Sequence, residues 1–301
     1  MAFTAPPTEK AELMERSVIK GRSLWDDARA RLLRNRAAVA SLILLGVLTL
    51  LAFIGPLLWV HESSFIYRDR VQIPPGWENL HLFGTDAQGR DLLARTLVGL
   101  RMSLMVGVVA TAVSLVIGVL WGATAGFIGG RVDQIMMRIV DVLYSLPFIF
   151  FVIILMVVFG RNIILIFVAI GAVEWLTMAR IVRGQTIALK NMEFVEAAQA
   201  AGVGRLSIIR RHIVPNVLGP VVVYVTLTIP AVILAESFLS FLGLGVQEPL
   251  TSLGNLIANG ARDMEVAPWT LIVPALTMMI TLFCFNFIGD GLRDAIDPKD
   301  R

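Results

Sequence analysis

The chain has 301 residues, 56% of them hydrophobic and only 16% charged, with a mean hydropathy of +0.77. Soluble domains carry about 45–50% apolar and about 25% charged residues, so this composition argues against a water-soluble globular domain and a disordered chain. A net charge of only +3 gives no nucleic-acid signal, and the single cysteine, Cys284, leaves no intrachain disulfide framework.

Residues 1–36 read as a tail, with Pro6-Pro7 and mixed charges over its first twenty positions. From Ser23 the pattern turns helical. Ser23 can cap a helix, Asp26 favours its positive end, and Leu24, Ala28, Leu32 and Leu33 recur at helical spacing. Arg29, Arg31, Arg34 and Arg36 then form a basic collar suited to lipid headgroups. Residues 37–60 are the first charge-free block of the roughly 20 apolar residues that cross a bilayer. Residues 61–100 follow as a segment outside the membrane, with Pro74-Pro75-Gly76 as a turn. Within it Thr85 or Asp86 is expected to cap a helix beginning near Asp91, with Asp86, Arg90, Asp91 and Arg95 pairing at the surface.

Further apolar blocks cover 102–126, 142–160, 162–179 (interrupted by Glu174), 213–245 (with Glu236 inside) and 266–289. They are far longer than barrel strands and do not alternate. The expected fold class is an all-α polytopic membrane protein of six transmembrane helices. The last five form a core over 101–293, and 294–301 is a short tail. Lys and Arg divide unevenly between the two sides. Residues 1–36 hold eight, the connections after spans two and four hold two and six, and the tail holds three, against seven opposite. This bias predicts both termini in the cytoplasm.

The connection over 190–215 is the most informative stretch. It runs Glu193-Phe194-Val195-Glu196-Ala197-Ala198-Gln199-Ala200-Ala201-Gly202-Val203-Gly204-Arg205 and ends in Val214-Pro215. Alanines favour helix, Gly202 can take the left-handed conformation that ends one, and a second helix from Arg205 is expected to stop before Pro215. Phe194, Ala197, Ala198 and Ala201 share one face. From the residues alone, the segment is either a bent hook packed against another surface or an amphipathic loop lying on the membrane.

Glu196-Ala197-Ala198, Gly202 and Pro215 stand in the register of the EAA loop, and the segment resembles that of ABC-importer permeases. His212 and Val214 depart from the family's usual Ile and Leu. Gly84-Thr85-Asp86-x-x-Gly89-Arg90-Asp91, Phe238-Leu239-Ser240-Phe241-Leu242-Gly243-Leu244-Gly245 and Gly289-Asp290-Gly291-Leu292-Arg293-Asp294 are similar to motifs of the peptide and nickel branch of these permeases. Arg34-Asn35-Arg36 and the ending Asp297-Pro298-Lys299-Asp300-Arg301 look most like the C-type subunits of oligopeptide permeases.

The resemblance implies the type I importer permease fold in a bacterial inner membrane. It implies a second homologous permease, two ATPase subunits, an external peptide-binding protein and a peptide substrate as partners. In that setting Glu196 would pair with a basic ATPase residue, Ala197 and Ala198 would allow close approach, and Gly202, Val203 and Pro215 would shape the coupling loop. ATP and Mg would be bound by the ATPase subunits, because no Gly-x-x-x-x-Gly-Lys-Ser/Thr loop occurs here. Related permeases carry dipeptides, murein peptides or nickel chelates.

An acid inside a span costs at least about 2.5 kcal/mol on insertion scales, so Glu236 and Glu174 are the candidates for the translocation path. An intramembrane enzyme fits poorly. His61-Glu62 lacks the second histidine of a zinc-protease motif, no Gly-x-Ser-x-Gly elbow occurs, and the three histidines look scattered, so no metal ligands are expected. A secondary transporter working without ATP would leave the hook without a purpose.

Overall fold

The computed structural model describes residues 24–160 and 162–296. The expected tail over 1–22, the Ser23 cap, Arg161 and residues 297–301 lie outside the described residues. Among those described the architecture is all-helical, with one isolated backbone bridge between Thr85 and Asp91.

Helix α1 (Leu24–Arg34) is joined to α2 (Arg36–Leu58) through Asn35, whose side chain accepts from the Ala37 and Ala38 amides at 3.1 and 3.2 Å. Helix α3 (Leu92–Ile128) spans 37 residues, so it projects well beyond one bilayer crossing. Helix α6 (Ile163–Lys190) packs along it. Among the described residues five helices are long and apolar enough to cross a membrane: α2, α3, α6, α9 (Val214–Phe241, prolonged backwards to Arg205) and α11 (Trp269–Ile296).

The sixth crossing is broken. The block expected over 142–160 is divided into α4 (Gly130–Ser145) and α5 (Phe148–Phe159), which meet at an 86° bend. The cause is Pro147. It forces Leu146 into an extended conformation (φ −77°, ψ 129°) and cannot donate back into the preceding turn. Helix α4 is tied to α6 by Asp133, which accepts from Arg183 at 2.5 and 2.6 Å, and by Asp141, which accepts from Arg180 at 2.9 Å.

The α3–α6 contact rests on a stripe of small residues. Ala110, Ser114, Gly118, Gly122 and Gly126 repeat every four positions on α3, and all are buried. A Cβ on Gly122 would run into the Ala179 carbonyl, and one on Gly126 would meet the Arg183 carbonyl at 2.9 Å. In lipid, helices gain little from hydrophobic burial against one another, so close backbone approach supplies the packing. Met178 and Val182 of α6 then join Val119, Ala123 and Phe127 in the largest apolar cluster. That cluster continues into Val195, Ile208, Ile209 and Ile213, so the connection after α6 is anchored in the same core.

Successive crossings alternate direction. This places α1, the connection over 191–213 and the end of α11 on one side, called here the hook side. The segments over 59–91 and 242–268 lie on the other, the latch side.

Candidate functional site: an exposed hook and a buried latch

On the hook side, α7 (Glu193–Ala200) ends at Gly202, which takes φ +76°, as the sequence predicts. The turn is closed by the Gly202 amide donating to Gln199 at 3.0 Å and the Val203 amide donating to Ala198 at 3.1 Å. Helix α8 (Arg205–Ile208) follows. It does not stop before Pro215. Residues Ile209–Ile213 form a π turn that runs straight into α9, and Pro215 sits in the first turn of that helix. Proline offers no amide to the turn before it, and the wider i→i+5 turn relieves its ring from the preceding carbonyls.

One residue, Val195, anchors α7 by complete burial, a role the periodicity did not single out. Phe194, Glu196, Ala197 and Ala201 are exposed, Ala198 and Val203 are half-buried, and Leu206 stands 79% exposed. The shared face therefore points away from the body. Among the described residues Glu196 makes no ion pair and no side-chain hydrogen bond. The hook is held at its base and open at its tip.

On the latch side the motif residues are buried rather than paired at the surface. Gly84 and Gly89 both take φ +77°, and a Cβ on either would collide with the Ile73 or the Tyr67 carbonyl. Thr85 donates its hydroxyl to the Arg70 carbonyl at 2.5 Å and accepts from the Ile73 amide at 2.9 Å. Asp86 accepts from the Gln88 and Arg90 amides through one oxygen and from Arg90 Nε through the other, each at 2.9 Å. Arg90 also donates to Glu248 at 2.8 Å, and Arg95 lies 3.4 Å from Asp86 and 3.7 Å from Glu248. Two arginines and two acids thus close a charge-balanced network across 158 positions of sequence. Desolvation opposes the Glu248 charge, but the hydrogen bond and positive charge of Arg90, helped by Arg95, outweigh it and hold the carboxyl below the usual range.

The cap of α3 is Asp91, not Thr85 or Asp86. Its carboxylate accepts from the Ala94 amide at 2.8 Å, from the Trp59 indole at 3.0 Å, and pairs with His81 Nδ1 at 2.9 Å. Thr85 and Asp86 are instead occupied in the turn that delivers the chain to Asp91. Two of the histidines also prove not to be scattered. The rings of His61 and His81 stack at 4.3 Å, and with Asp91 they bring possible metal-ligand atoms within 4.8 Å of one another. The geometry is nonetheless that of a hydrogen-bonded core. His61 already engages Tyr67 Oη at 2.8 Å and the Asn79 carbonyl at 2.9 Å, and stacked rings do not aim in-plane lone pairs at one ion. His81, Trp59 and Glu248 were missed by sequence reasoning. Only the isolated charge of Glu248 next to an apolar block could have flagged any of them.

Glu236 is fully buried on α9. Ser240 and Ser252 both donate to one of its oxygens at 2.7 Å, while the other oxygen has no partner among the described residues. Ser252 caps α10 (Leu253–Asp263), and Ser103 of α3 accepts from the Leu253 amide at 3.1 Å. Glu236 therefore sits where α3, α9 and α10 meet. Glu174 lies half-buried on α6, away from that cluster.

The family profile described as "Binding-protein-dependent transport system inner membrane component" matches residues 95–301. The chain belongs to that family. A second profile, the "N-terminal TM domain of oligopeptide transport permease C", matches residues 23–75 of this inner membrane component. Its relatives include the "Oligopeptide transport system permease protein OppC" of Haemophilus influenzae, 55% identical over 97% of this chain and 94% of that protein. The protein of the same name from Escherichia coli K12 is 58% identical over 95% of each. The "Dipeptide transport system permease protein DppC" of Bacillus subtilis is 45% identical over 93% of this chain and 87% of that protein. Among solved structures, the inward-facing MetNI methionine ABC transporter matches with a TM-score of 0.52 at 20% identity, over 68% of this chain and 96% of the other, and bears on the fold alone.

Proposed function

We propose that this inner membrane component is one of two permease subunits of an ATP-driven importer that takes up oligopeptides delivered by an external binding protein. The observation that carries the reading is the hook: an α7–Gly202–α8 elbow with its base in the core and its tip, including Glu196, free for another surface. An element lying on lipid has no need for such anchoring, whereas a lever must not absorb displacement at its root. The hook side is then cytoplasmic, in keeping with the Lys and Arg bias. Two ATPase subunits, which bind ATP and Mg, meet this hook and its counterpart on the second permease. Drawing the hooks together favours one arrangement of the helices over another, which is the condition for coupling. Glu174 and Glu236 belong to the path that opens in the other arrangement. The high identity to oligopeptide permease subunits supports the substrate class, and the dipeptide relative makes dipeptides the second reading.

The test is reconstitution of the chain with the second permease, both ATPase subunits and the binding protein in proteoliposomes, followed by ATP-dependent uptake of labelled peptides. Glu196→Lys is expected to abolish uptake. Wild-type rates in that variant would remove Glu196 from the coupling role.

A further inference from the structure

Two cavities adjoin on the latch side. The first, of ≈ 150 Å³, is lined by Gln88, Arg95, Asn259 and Arg262 among others. The second, of ≈ 210 Å³, is lined by Gln247, Asn255, Asn259 and Arg262. Asn259 and Arg262 belong to both, so the cavities meet along one face of α10. Acids line them too. Asp86 and Glu248 are neutralised by Arg90 and Arg95, and Asp263 stands on the first cavity one position beyond Arg262, about 100° around the helix.

Two features of this wall call for an acceptor oxygen, and the first also brings a positive charge that no acid of the wall pairs. Arg262 is exposed, lies in the last turn of α10, and makes no ion pair among the described residues. Arg95 is 2% exposed, and its Nε–H has no acceptor. A buried guanidinium donor without a partner is costly, and a ligand oxygen in the first cavity would supply what the protein does not. The amide side chains beside them are oriented by their own bonds. Asn259 donates to Asn255 at 3.1 Å, Asn255 donates to the Val246 carbonyl at 3.0 Å, and Gln247 donates to the Gly245 carbonyl at 2.9 Å. Fixed amides beside a forked guanidinium suit a planar carboxylate followed by a peptide group.

We propose that this paired cavity is a hand-over subsite for the C-terminal carboxylate of the incoming peptide, held by Arg262 and Asn259 with Arg95 behind them. The inference rests on the peptide-import reading above and adds to it the end of the substrate that the permease grips first. It also explains why a polar, half-buried helix is placed directly over the cluster around Glu236. The Ser252 cap that bonds Glu236 begins the helix whose other end carries Arg262, so filling the subsite acts on α10 from its far end.

The test compares a labelled tripeptide with its C-terminal amide in the full reconstituted transporter, each presented on saturating binding protein. Loss of a charge-assisted contact should give a wild-type acid-to-amide ratio of initial rates of about tenfold or more. Arg262→Gln is expected to bring that ratio close to one, Arg262→Lys to leave it in between, and Asn259→Leu to lower it. Arg262 is exposed, and co-purification of the subunits checks assembly of each variant. If Arg262→Gln slows both peptides alike and keeps the ratio, the proposal is overturned, and the carboxylate met by Arg262 is an acidic side chain of the binding protein. A wild-type ratio of one overturns it as well. Failure of the wild type to take up either peptide would instead refute the import reading on which the subsite depends.

Discussion

Replacing Asp86 by Ala takes four interactions out of the latch at once. Its carboxylate accepts two backbone amides and the Arg90 Nε–H at 2.9 Å and faces Arg95 at 3.4 Å. Each backbone bond is worth about 1 kcal/mol and the charge-assisted bond about 1.5–3 kcal/mol. The loss therefore comes to roughly 3–5 kcal/mol, the range found when one partner of a buried pair is removed and the other charge is left behind. The penalty falls on local opening of residues 84–92, because the turn is tied by Thr85 to Ile73 and by Asp86 to Arg90 through backbone bonds of 3.0 Å. Amide hydrogen exchange of that stretch, in detergent or nanodiscs, reads this opening directly, and exchange there should accelerate roughly 10²- to 10⁴-fold. Asp86→Asn keeps an oxygen for the two amides but sets an NH2 group against the Arg90 Nε–H and removes the charge, so the charge-assisted bond is lost and a roughly 10- to 10²-fold acceleration is expected. Wild-type exchange in Asp86→Ala, or equal effects from Ala and Asn, would refute the assignment of a buried ionic latch.

Gly202→Val places a β-branched residue at φ +76° where no neighbour stands within 4 Å, so the cost is purely conformational, about 1–2 kcal/mol. ATP-driven uptake should fall severalfold while insertion and subunit assembly persist, and Gly202→Asn should be milder. Gly122→Leu drives a side chain into the Ala179 carbonyl and is expected to yield no folded protein by size-exclusion chromatography. The Glu248 carboxyl is held below its ordinary pKa, so its contribution is present above the unfolded value and is lost as pH falls through the lowered folded value. Exchange of residues 84–92, corrected for intrinsic rates, should rise over that acid range and lose part of that rise in Glu248→Gln.

Most spans were legible because apolar blocks of 18 residues or more, with at most one acid inside, leave a chain little choice but to cross lipid. Gly202 was legible because alanines followed by Gly state a helix end in local terms. Pro215 misled because the residue-before-proline rule describes isolated chain. In the fold, the buried residues Ile208, Ile209 and Ile213 reward continuing the helix, and a π turn makes room for the ring. Pro147 was equally visible and acts as the rule says, since α4 and α5 pack into separate clusters, Val140 in one and Val152 and Met156 in the other. The four-residue stripe from Ala110 to Gly126 was present in the sequence but hidden inside a uniformly apolar block. The latch was not legible in the same way. Arg90 and Glu248 are 158 positions apart, and nothing local to Glu248 announces a partner.

The unbroken passage from α8 through Ile209–Ile213 into α9 has a mechanical meaning. On the import reading, a tug on the tip of the hook would pass into α9 without a break at Pro215 and would meet its first bends only at Pro220 and Pro230. Glu236 rides on that helix near its far end, bonded to the cap of α10. On that reading, work done on one face of the bilayer would reach the opposite face along a single helix, beside the cavity that carries Arg262.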